Sequence, residues 1–92
     1  MVAQLPSSAP TEIRLLPQEQ LGSCRFSGQF VATRNAIEQF GEATVVAALR
    51  ILPQKVAQGE SLDYLQVFEI GGQRLWIIDD GDVTTALLPM DY

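Results

Sequence analysis

The sequence predicts an α+β fold: an antiparallel sheet whose three-stranded carboxy-terminal meander, about residues 62–88, packs on one main helix, about residues 33–52, with one or two strands near the amino terminus. Three observations carry this expectation. Gly71-Gly72 and Asp80-Gly81 are two-residue turn sequences set between β-rich segments, the strongest short-range hairpin signal. Residues 33–52 repeat apolar side chains at helical spacing. Cys24 to Val31 alternates with the period of a strand that buries one face.

Taken in order, residues 1–11 hold Pro6, Ser7, Ser8 and Pro10 and read as a flexible tail, leaving 12–92 as a single domain. Glu12 to Leu16 reads as a short strand ended by Pro17, and Gln18 to Ser23 as a loop or one helical turn. In the next strand Cys24, Phe26, Gly28 and Phe30 point one way, and Arg25, Ser27 and Gln29 the other. Gly28 marks a bulge or a close backbone approach. Thr33 is placed to cap a helix, its side-chain oxygen accepting from a first-turn N–H. Ile37, Phe40, Thr44, Ala47 and Ile51 then form one stripe, and Val45, Ala48, Leu49 and Leu52 a second. Gly41 costs about 1 kcal/mol in a helix interior and allows a kink or a break into two helices. Pro53 disfavours helical geometry at Leu52 and is expected to stop the helix. A strand over Thr44 to Leu49 is the rival reading of that apolar run. Gln54 to Ser61, with Gly59, reads as a connection, with or without one extra helical turn.

If each two-residue turn occupies its glycine pair or Asp-Gly pair, the register follows. Phe68 opposes Leu75 and Gln66 opposes Ile77; Asp79 opposes Asp82 and Ile77 opposes Thr84. Opposed side chains share a face. One face then receives Leu65, Val67, Trp76, Ile78, Val83 and Leu87, with Glu69 and Arg74 meeting near the first turn. The other receives Phe68, Ile70, Leu75, Ile77, Ala86 and Leu88, with Tyr64, Gln66 and Thr84. The face with Trp76 is the better candidate for the helix. One helix covers one face, so Phe68, Ile70, Leu75, Ile77, Leu88 and Tyr64 become the expected partner surface, covered by a second copy, another protein or the amino-terminal segment.

The rest of the composition narrows function by exclusion. The 92 residues make one core, 47% apolar and 18% charged. A net charge of −5 disfavours phosphate backbones and anionic membranes, so neither nucleic acid nor membrane is an expected partner. There is no secretory leader pattern in Met1 to Pro10 and no apolar run long enough to span a bilayer, which suggests a cytoplasmic protein. Without histidine, histidine-dependent triads and metal sites are ruled out within this chain. Cys24, the single cysteine, reads as a buried structural thiol. Asp79, Asp80 and Asp82 read as hairpin chemistry at an exposed tip, and Glu38 and Glu42 as a solvated helix edge. No catalytic, cofactor-binding or metal-binding residue is assigned, and no cofactor is expected.

The string GGQRLWIIDDGDVTTALL, together with the order strand, helical region, three-strand meander, resembles the RelE/ParE-type toxin fold. Arg74 stands where those toxins often carry an arginine after a glycine-bearing turn. The resemblance implies a small α+β domain and a toxin-like or regulatory role. The chain departs from the family in being acidic, with a mainly apolar sheet, and that departure argues against ribonuclease activity. The reading the residues themselves favour is a small non-enzymatic interaction or assembly module acting through an apolar sheet face, with a protein partner or a homodimer.

Overall fold

Two glycine-bearing turns organise the sheet in the computed structural model, which describes residues 12–92; the tail expected over 1–11 lies outside the described residues. In chain order the elements are β1 (Ile13–Leu15), β2 (Gln29–Ala32), α1 (Arg34–Phe40), α2 (Glu42–Ala57), β3 (Leu65–Ile70), β4 (Gln73–Asp79), β5 (Val83–Leu87) and a 3₁₀ turn at Pro89–Asp91. The five strands form one sheet in the order β1-β3-β4-β5-β2. The meander is antiparallel as expected, and β1 joins β3 antiparallel, but β2 runs parallel to β5, so the sheet is mixed. The fold is α+β, with the meander packed against the main helix.

The first hairpin has the expected register, with Ile70 opposite Gln73 and Phe68 opposite Leu75. Gly71 and Gly72 both take positive φ, at 58° and 80°. The second hairpin differs by one position. Asp80 N–H donates to Val83 O at 3.1 Å, which makes Gly81 and Asp82 the central residues, and only Gly81 has positive φ. Asp79 therefore opposes Thr84 rather than Asp82, and Ile77 opposes Ala86 rather than Thr84. The aspartates explain the choice. Asp80 Oδ1 accepts from Asp82 N and Val83 N, Asp79 Oδ1 accepts from Gly81 N, and two carboxylates no longer face each other. Each β5 residue still points to its expected side, because its partner on β4 moves by two positions.

The covered face is the reverse of the one expected. Phe68, Leu75, Ile77 and Ala86 are fully buried and Ile70 and Leu88 nearly so, in one cluster with Ala36, Val45, Ala48, Leu49 and Leu52 of the helices. The expected partner surface is thus the core, and only Tyr64, at 47% exposure, remains at the surface. The reason lies in the charges. Glu69 bridges Arg14 of β1 and Arg74 of β4 on the Trp76 face, and a helix laid there would bury three ionised groups.

The expected single helix breaks at Gly41, with φ 85° and ψ 150°. Its N–H closes α1 on Ile37 O and its carbonyl receives Val45 N of α2. Pro53 does not stop α2, which runs to Ala57. The proline forfeits one backbone bond, but Leu52 before it is fully buried and Val56 after it packs on the core. That burial outweighs a local cost of about 3 kcal/mol. The expected strand over 24–31 shortens to β2. Phe26 interrupts it with φ 53°, and Cys24 makes only an isolated bridge to Leu62. Gly28 proves to be the close approach: a Cβ there would sit 2.3 Å from Asp82 O, at the parallel junction with β5.

Thr84 is fully buried, and its hydroxyl has no hydrogen-bond partner among the described residues. An unpaired buried hydroxyl costs about 1–3 kcal/mol. Thr84→Val keeps the shape and removes the hydroxyl. It is expected to raise unfolding stability by about 1 kcal/mol in urea titration.

Candidate interaction surface

The uncovered face of the sheet is built in rows. Leu65, Ile78 and Thr85 lie side by side across β3, β4 and β5, and the row continues to Val31 on β2. The next row holds Val67, Trp76 and Leu87, and beyond it lie Arg14, Glu69 and Arg74. Leu65, Val67, Trp76, Ile78 and Val83 are all partly exposed and Val31 is 38% exposed, and among the described residues neither α1 nor α2 lies over them. The result is an apolar band with a polar rim on one side.

The carboxy terminus folds over one corner of this band. Leu88-Pro89 turns the chain, and Tyr92 meets Trp76 edge-on at a centroid separation of 5.6 Å. Asp91 holds the turn in place. Its Oδ2 accepts from Thr33 Oγ1 and Leu88 N, and its Oδ1 from Asn35 Nδ2, at 2.7, 2.9 and 2.7 Å respectively. These donors favour the carboxylate and hold its pKa below the usual range. Thr33 at the same time caps α1 as expected, accepting from Ala36 N at 3.1 Å.

A cleft of about 540 Å³ lies at the β3–β4 end, where Cys24, Arg25, Tyr64, Asp79 and Asp80 converge. An arginine, a tyrosine and an aspartate in one concavity are the types that proton transfer uses, but the aspartate's two oxygens are taken up by backbone N–H groups. Asp79 is buried, and these oxygens accept from Phe26 N at 2.9 Å and Gly81 N at 2.8 Å. The Cys24 thiol is pushed up in pKa, first by desolvation and then by the Asp79 and Asp63 carboxylates. A nucleophilic cysteine needs the opposite field. Cys24 is partly exposed rather than buried. Its alkylation by iodoacetamide at pH 7.5 should run several-fold slower than that of free cysteine and accelerate only at higher pH. Faster reaction than the free thiol would contradict this electrostatic picture.

A second groove, of about 410 Å³, runs between the β1–loop segment and the sheet, with Tyr64, Leu65, Val67 and Arg74 on the sheet side. Arg74, the position singled out by the toxin resemblance, lies exposed on its rim with Nε 3.9 Å from Glu69. Behind it Gln18 ties the loop to the buried Gln66: Gln66 Nε2 donates to Gln18 Oε1 at 2.7 Å, and Asp63 N to the same oxygen at 2.9 Å. Sequence reasoning missed Gln18, which sits in an irregular loop with no periodic signal. Among the described residues no helix is long and apolar enough to cross a membrane. No family model, no curated protein and no solved structure matches this chain.

Proposed function

We propose that the protein is a non-enzymatic interaction or assembly module whose docking surface is the uncovered sheet face around Leu65, Val67, Trp76 and Ile78. The observation that carries this reading is the row structure. Four neighbouring strands present apolar side chains on a face that neither helix covers, and the charges gather at one border. An apolar centre with a polar rim is the anatomy of a protein interface. The partner is a protein with an apolar patch of its own.

Ile78→Lys tests it, because the side chain lies in the band and outside the core cluster. The variant should keep its circular dichroism spectrum and lose a protein that wild type retains from native extract and binds again in purified form. Retention of the same protein by a folded Ile78→Lys variant overturns the reading. The second reading, a toxin-like or regulatory protein, rests on the convergence of Arg25, Tyr64 and Asp79 beside Cys24. It requires that expression arrest host growth and that Arg25→Ala relieve the arrest.

A further inference from the structure

We infer that β2 is a self-pairing edge, and that two copies of this chain join through antiparallel β2–β2 contact into one continuous ten-stranded sheet. The inference goes beyond the docking face proposed above, since it concerns the rim of the sheet. Among the described residues β2 is the outermost strand on its side, bonded only to β5. Gln29 N donates to Asp82 O at 3.2 Å and Thr33 N to Ala86 O at 2.9 Å. The odd-numbered residues of β2 therefore bond inward, and by alternation the N–H and C=O groups of Phe30 and Ala32 face out. Such groups are a template for another strand.

The usual defences of an edge are missing from this one. Gln29-Phe30-Val31-Ala32 contains no charge, proline or bulge, whereas β1 at the opposite edge is three residues long and carries Arg14. β2 itself carries no charged side chain, so the two strands would meet without like charges between them. Phe30 and Val31 are each 38% exposed, one on each face of the strand, so pairing adds apolar contact on both sides.

The two-fold axis can be placed. Outward groups must pair with outward groups, and a pairing centred on Val31 sets Phe30 of each copy opposite Ala32 of the other. This gives four backbone bonds using only residues within β2. It also sets Val31 against Val31 on the uncovered face, extending the row of Leu65, Ile78 and Thr85.

The test uses the full chain. Light scattering after size exclusion should show a dimer at tens of micromolar. Phe30→Pro removes an outward N–H, which an edge strand tolerates, together with the partly exposed ring, and should leave a folded monomer with at least a tenfold weaker dimer. Val31→Lys, which puts like charges on the axis, should do the same and stands in if the proline variant fails to fold. In a Cys24→Ser background, Val31→Cys should form an intermolecular disulfide on mild oxidation and Gln29→Cys should not. A wild-type monomer at several hundred micromolar overturns the inference. So does a dimer that survives Val31→Lys and yields to Ile78→Lys, an outcome that assigns the dimer to the sheet face and leaves the proposed function standing.

Discussion

Phe68→Ala is expected to lower unfolding stability by about 3–5 kcal/mol, a large part of what a domain of this size possesses. Phe68 is fully buried between the helices and the sheet, flanked by Leu75 across the strand pair and Leu15 on β1. Truncation removes its transfer energy and leaves a cavity in a core that two helices and three strands hold rigid. Trp76→Ala provides the contrast. Trp76 is the larger side chain, but it lies on the uncovered face, partly exposed, with Val67 and Leu87 beside it in the sheet and Tyr92 edge-on to its ring. Its removal is expected to cost about 1–2 kcal/mol. Urea titration of both variants tests which face is the core. A larger loss at Trp76 than at Phe68 would restore the arrangement first expected from the sequence.

The second large effect is expected at Asp79. Its carboxylate joins Phe26 N of the amino-terminal half to Gly81 N of the β4–β5 turn, across 53 positions of sequence in the first case. Phe26 holds a left-handed backbone, φ 53°, which costs a bulky residue about 1–2 kcal/mol. The strain persists because the ring is fully buried and the N–H is bonded to a charged oxygen. Asp79→Ala leaves that N–H unpaired inside the protein and frees the turn. A loss of about 3 kcal/mol follows, with Asp79→Asn intermediate because the amide still offers one acceptor. Equal stability of Asp79→Ala and wild type would show that the carboxylate is not what secures Phe26.

How much of this was legible beforehand depended on range. The Gly71-Gly72 turn, the Thr33 cap and the break at Gly41 are local matters, and the residues that decide them lie within a few positions. The composition of the two sheet faces was legible too, because alternation fixes it whatever the turn does. The choice of covered face was open to sequence reasoning but needed the charges weighed: Glu69 and Arg74 cannot lie under a helix cheaply, and they share the face of Trp76. The parallel pairing of β2 and the role of Asp79 were not legible. Both join segments more than fifty positions apart, and neither leaves a mark in local pattern. Pro53 misled because its local penalty is smaller than the burial of Leu52 and Val56 on either side. The uncovered face proposed as the site was itself identified in the sequence as a set of residues; its solvent exposure came only with the helices in place.

The sheet order has a consequence for the timing of folding. Both outer strands, β1 and β2, lie towards the amino terminus, and both find their partners in the meander towards the other end. During synthesis they leave the ribosome long before β3 and β5 exist. The hairpins close on local contacts in microseconds, whereas the outer strands must close long loops to dock. The nascent chain therefore carries Phe26, Phe30 and Val31 uncovered until its last third is made, and the stretch most in need of protection from aggregation is the one translated early.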